Sequence, residues 1–77
     1  MRRAIATDGS RLRLTEHRGQ YHLEDVYEKD YNGILCWTTR YAMNCGRSKT
    51  IADGIFTEYM TDALEMDGIR YTERPAY

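Results

Sequence analysis

Apolar residues alternate with polar ones through the first half of the chain, at Ile5, Leu12, Leu14, Tyr21 and Leu23, and turn pairs punctuate the pattern at Asp8-Gly9, Arg18-Gly19 and Asn32-Gly33. Period-two alternation broken by such pairs predicts consecutive hairpins. The strands expected are about 2–7, 10–17, 20–30 and 34–44. From Ser48 onward the apolar spacing changes to the helical period. Ile51, Ala52, Ile55, Phe56, Tyr59, Ala63 and Met66 fall on one arc, which predicts a helix over about 49–67. Gly68 stands where a C′ glycine belongs, and Ile69 to Glu73 alternate as a short last strand (69–73) stopped by Pro75. The predicted fold is a single α+β domain over residues 1–77, a four-stranded antiparallel meander packed by one helix, with the last strand beside the first or the fourth.

Register follows from the turns. A two-residue Asp8-Gly9 loop sets Ile5 opposite Leu12, and Arg18-Gly19 sets Leu14 opposite Leu23 and Glu16 opposite Tyr21. At the third turn a two-residue Asn32-Gly33 loop would mix charged and apolar residues on one face. The three-residue loop Tyr31-Asn32-Gly33 avoids this and sets Tyr27 opposite Trp37, Leu23 opposite Tyr41 and Tyr21 opposite Met43. The expected inner face is then Ile5, Leu12, Leu14, Tyr21, Leu23, Tyr27, Leu35, Trp37, Tyr41 and Met43. Arg13, Glu24 and Arg40 form an ion-pair ladder outside. Asp25 is the anomaly on the inner face. It needs either a bulge at Glu24-Asp25 or a buried donor such as Thr39. Thr50 and Asp53 resemble a capping box, and Gly54 inside the helix reflects close packing against Trp37 or simple tolerance.

Charge is nearly balanced, with 11 Lys and Arg against 12 Asp and Glu, but it runs in blocks. Residues 1–18 and 36–50 are basic, and 19–35 and 51–68 are acidic. Bulk charge therefore excludes a protein that coats nucleic acid indiscriminately. The stretch from Thr50 to Asp67 carries Asp53, Glu58, Asp62, Glu65 and Asp67 with no Lys or Arg, so the helix flank should repel phosphate and attract basic surfaces. No apolar run is long enough to span a membrane, and Met-Arg-Arg is followed by no signal-peptide core, so a cytoplasmic location without membrane association is expected. Cys36 and Cys45 would lie roughly 30 Å apart on one strand, which makes them free thiols.

Chemical motifs are sparse. Gly46-Arg47-Ser48-Lys49-Thr50 stands at a helix start but lacks the P-loop glycine spacing. His17, His22, Cys36 and Cys45 show no zinc-ligand spacing, and no nucleophile is tied to a base. No catalytic residue, metal or cofactor is expected, and the chain reads as a non-enzyme. Seven tyrosines exceed the needs of so small a core. Tyr31, Tyr59 and Tyr71 are the expected interface anchors beside Glu58, Asp62 and Glu65, with Tyr77 also left outside the core. These residues predict a protein-binding module that docks on a basic surface, with homodimerisation through an open sheet edge as a further expectation. A compact domain of this size and surface style resembles the small inhibitors encoded by phages and other mobile elements, anti-CRISPR proteins among them. That resemblance implies a nucleic-acid-guided effector complex as partner. The competing expectation is a nucleic-acid-binding domain using Arg2, Arg3, Arg11, Arg13, Arg18 and Arg40, with Arg47 and Lys49 at the helix start, most of them on the outer sheet face or its rim, a face expected to lack stacking aromatics.

Overall fold

The computed structural model describes residues 2–63 and 68–75. Five strands, β1 (Arg2–Ala6), β2 (Arg11–His17), β3 (Gln20–Tyr31), β4 (Ile34–Gly46) and β5 (Tyr71–Arg74), form one antiparallel sheet in the order β4-β3-β2-β1-β5. Helix α1 (Lys49–Ala63) covers one face. The expected α+β meander is present, and the last strand pairs with β1. Leu64 to Asp67 lie outside the described residues, so the expected helical end and the packing of Met66 do too, as does Tyr77. Among the described residues no helix is long and apolar enough to cross a membrane.

The β2–β3 turn forms as expected. Arg18 and Gly19 both take positive φ (53° and 77°), as a type I′ turn requires, and Leu14 pairs with Leu23 and Glu16 with Tyr21. The other two loops exchange their expected lengths. In the first, the Ser10 N–H donates to Asp8 Oδ1 at 2.9 Å and the Gly9 N–H to the Ala6 carbonyl at 3.0 Å, which closes a turn before Gly9 enters the left-handed region. Thr7-Asp8-Gly9 is thus a three-residue loop, and Ala4 rather than Ile5 stands opposite Leu12. Ala4 and Ala6 are buried, and Ile5 moves to the outer face beside Arg11.

At the third turn Asn32 and Gly33 both adopt positive φ, so the loop has two residues and Tyr31 pairs with Ile34. The expected three-residue loop is overturned. Tyr27 lies opposite Thr38 and Glu28 opposite Trp37, which sends Leu35 and Trp37 to the outer face. A bulge then corrects the phase. Val26 pairs with Thr39 and Asp25 with Tyr41, leaving Arg40 as an extra residue that returns Tyr41 and Met43 to the inner face. Leu23 therefore pairs with Met43, not Tyr41. Of the expected ladder only Arg13–Glu24 forms, at 2.6 Å, because the bulge carries Arg40 to Asp8 and Ser10.

The core joins Ala4, Leu12, Leu14, Tyr21, Leu23 and Cys45 of the sheet to Ala52 and Phe56 of α1, with Ile55, Tyr59 and Met60 packed against them. Ile51, expected inside, is exposed. The helix cap also shifts from the expected Thr50–Asp53 box to Ser48, whose Oγ accepts from the Ile51 N–H at 3.3 Å. Asp53 is occupied by Lys49 Nζ at 2.9 Å. A Cβ built on Gly54 meets nothing within 4 Å, so the glycine is tolerated rather than required by packing. Gly54→Ala is expected to raise stability by about 0.5–1 kcal/mol, read as a higher urea midpoint with an unchanged slope.

Candidate functional site

β3 and β4 outrun the rest of the sheet. β2 pairs with β3 only over Gln20–Val26, so Tyr27–Tyr31 and the facing residues of β4 project as a two-stranded arm. Among the described residues no helix or third strand covers its tip. Ile34 and Leu35 are each 67% exposed and Tyr31 47%; Tyr31 pairs with Ile34 on one face, and on the other Asp30 stands directly opposite Leu35 and Glu28 opposite Trp37. Asp30 Oδ1 accepts from the Gly33 N–H at 2.7 Å, which stiffens the turn that presents this tip. Lys29 Nζ lies 5.2 Å from the Tyr31 ring centroid. Between Ile34 and Gly46 the only charged residue is Arg40, and its guanidinium faces Asp8 and Ser10. Edge strands are usually protected by charge, and β4 is an edge with very little.

Sequence reasoning picked out Tyr31 but placed Leu35 inside and assigned no role to Ile34. Strand length was the available signal. A hairpin of 12 and 13 residues beside a seven-residue β2 must overhang it.

The expected anchors Tyr59 and Tyr71 are hydrogen-bonded to Asp25. Asp25 is fully buried, and the Tyr59 and Tyr71 hydroxyls donate to its Oδ2 at 2.7 and 2.5 Å, with Arg40 Nη1 at 3.6 Å. Tyr41 stacks on Tyr59 with centroids 5.4 Å apart, and Tyr59 meets Tyr71 edge-on at 6.0 Å. Asp25 Oδ2 is therefore held by helix, last strand and bulge rather than by Thr39, while its buried Oδ1 has no hydrogen-bond partner among the described residues, and the two tyrosines turn their polar tips inward. Burial, and then the hydrogen bond to Asp25, push both phenols well above their usual range. A phenol whose pKa is raised on folding contributes stability that is complete below the unfolded value, about 10, and is lost as pH climbs past it. Phenolate absorbance should accordingly show two tyrosines that ionise only as the alkaline protein unfolds.

The acidic flank is exposed as expected. Glu58 and Asp62 face solvent and form no ion pair with any described residue, whereas Glu65 lies outside the described residues. Asp53 is not available, because Lys49 and Arg2 hold it.

The expected basic surface is divided. Arg40 pairs with Asp8 and Asp25, Lys49 with Asp53, and Arg2 with Glu73 on the helix side of the sheet. Arg47 is exposed at the helix start. Arg11 and Arg13 remain together on the outer face, and Arg11 stacks on Trp37 with its guanidinium carbon 4.7 Å from the ring centroid. The outer face thus carries an aromatic after all. Neither a known protein family, nor a curated protein, nor a solved structure matches the chain.

Proposed function

We propose that the chain is a non-enzymatic protein-binding module that docks through the tip of its β3–β4 arm. The observation that carries this reading is the exposed apolar tip of a stiff hairpin, with Tyr31 and Ile34 on one face and Leu35 beside Asp30 on the other. Apolar anchors with a polar rim are the anatomy of a protein interface. The carboxylate rim selects a partner whose apolar patch is edged by Lys or Arg. Glu58 and Asp62 on the helix add to the negative field that steers such a partner, which governs association rate more than affinity. Proteins that grip nucleic acid carry basic surfaces of this kind, so inhibition of a nucleic-acid-handling complex is the form of this reading that suits the charge pattern. The open outer edge of β4 also admits a second copy, and sedimentation of the isolated protein separates self-pairing from docking on another protein.

Ile34→Ser with Leu35→Ser tests the proposal by affinity capture from native host cells. Both positions are exposed, so the circular dichroism melt should move by no more than about 0.5 kcal/mol of stability. The expected result is a protein retained by the wild type and lost from the variant. Identical retention by both would refute the arm as the docking site.

A further inference from the structure

The sheet ends in two unlike edges, β5 and β4. β5 is four residues long, carries Glu73 and Arg74 and is followed by Pro75, all of which discourage a further strand. β4 is 13 residues long, and its residues 34–39 include no charge, no proline and no glycine. Among the described residues every large exposed apolar side chain except Ile51 lies on β4 or, as Tyr31, directly opposite it. The register fixes which backbone groups of β4 face outward. Tyr31 and Ile34 flank a two-residue loop and form a hydrogen-bonded pair, and bonded and non-bonded pairs alternate along an antiparallel ladder. Ile34, Cys36 and Thr38 therefore direct N–H and C=O to β3, while those of Leu35 and Trp37 point away from it. The β2–β3 turn gives the same answer, because the bonded pair His17–Gln20 commits the even-numbered residues of β3 to β2 and leaves Tyr27, Lys29 and Tyr31 for β4. The bulge at Arg40 ends this regular edge.

We infer that residues 34–38 of β4 pair antiparallel with the same residues of a second copy, joining two sheets edge to edge. An antiparallel pair of identical strands has its two-fold axis perpendicular to the sheet, so one residue must lie opposite itself. Between the loop and the bulge that residue is Cys36 or Trp37. Centring on Cys36 sets Leu35 opposite Trp37 of the second copy, and Trp37 opposite Leu35. These are the residues whose backbone groups face outward, so each match adds two hydrogen bonds. Centring on Trp37 would set Leu35 against Thr39 and bring the added strand up to the bulge, so Cys36 is the residue on the axis. Charge permits the pairing. Asp30 and Glu28 sit one strand inward on the same face, and across the dimer they stay three strand spacings apart, roughly 14 Å, beyond the Debye length at physiological salt. A neutral edge offers nothing to select a charged strand of another protein, whereas a second copy matches apolar to apolar at both positions. Pairing employs the edge of the arm and leaves its two faces open, so the inference does not rest on the arm's docking role.

Sedimentation velocity of the isolated protein tests it. A dimer of the 9.1 kDa chain is expected to grow in with concentration from the micromolar to the millimolar range. Leu35→Pro removes an outward N–H without touching the ladder to β3, and should give monomer with an unchanged circular dichroism spectrum. Trp37→Lys leaves the backbone whole, adds charge to the edge and should do the same. Under oxidised glutathione the wild type should form a disulfide-linked dimer through the exposed Cys36, since a non-bonded pair sets its Cα atoms about 4.5 Å apart, within disulfide reach. Trp37→Lys should form that link at least about tenfold more slowly, because its thiols meet only by collision. Cys36→Ser should lose the link and still sediment as a dimer. Monomer at every concentration, a dimer that persists in both folded edge variants, or a Cys36 link that is absent or equally fast in Trp37→Lys would each overturn the assignment. No second protein enters these measurements, so their failure is distinct from failure of the docking proposal.

Discussion

Asp25→Ala is expected to cost about 3–5 kcal/mol, the range for removing one partner from a buried charged network. The substitution leaves two tyrosine hydroxyls without their acceptor, and each hydrogen bond to a charged group contributes on the order of 1.5–3 kcal/mol. It also deprives the bulged Arg40 of one of its two carboxylates. A chain of 77 residues has roughly 4–12 kcal/mol to lose in all, so the variant should sit near the edge of folding, its melting temperature falling by roughly 4–8 °C for each kcal/mol. Tyr71→Phe isolates one branch. It should cost about 1.5–3 kcal/mol and loosen β5 first, because that strand has only four residues and the Tyr71–Asp25 bond ties it to β3. A neutral Asp25→Ala would mean that the carboxylate does not fasten helix and last strand to the sheet.

Phe56→Ala is the second large effect, at about 3–5 kcal/mol. Among the described side chains of α1 only Ala52 and Phe56 are fully buried, and Arg2 lies over the Phe56 ring at 4.4 Å, a contact that adds about 0.5–1 kcal/mol. A 15-residue helix with an internal glycine does not hold in water without its packing. Detachment of α1 ahead of the sheet would appear as a shallower urea slope and an early loss of helical dichroism. A variant that unfolds with wild-type midpoint and slope would show that the helix is fastened elsewhere.

These two residues also mark what could be read from the chain. Phe56 was legible because its apolar neighbours recur at helical spacing, and the β2–β3 register was legible because leucines on both sides of Arg18-Gly19 must share a buried face. The loops at Asp8-Gly9 and Asn32-Gly33 were not. Each pair suits loops of two or three residues, and the choice rests on whether a side chain bridges the turn, as Asp8 does to the Ser10 N–H, or the residue itself takes positive φ, as Asn32 does. At the arm no buried face enforces the alternation that the register argument relied on. The bulge at Arg40 was invisible because its partners, Asp8 and Asp25, lie 32 and 15 positions away in the chain.

The candidate surfaces divide in the same way. Exposure of Glu58 and Asp62 followed from periodicity alone. The inward tips of Tyr59 and Tyr71 required three separate elements to converge on Asp25. The pairing of Arg3 with Arg74 required knowing that β5 joins β1 and in what register. The arm's exposed tip followed from unequal strand lengths, which can be counted but were not used.

Docking by the arm rather than by the helix is tested most directly by hydrogen–deuterium exchange of the protein alone and bound to the partner it retains. The arm account predicts new protection concentrated in residues 31–36, with residues 58–62 exchanging as before. Protection confined to the acidic helix flank, with the arm tip still exchanging at its free rate, would contradict it.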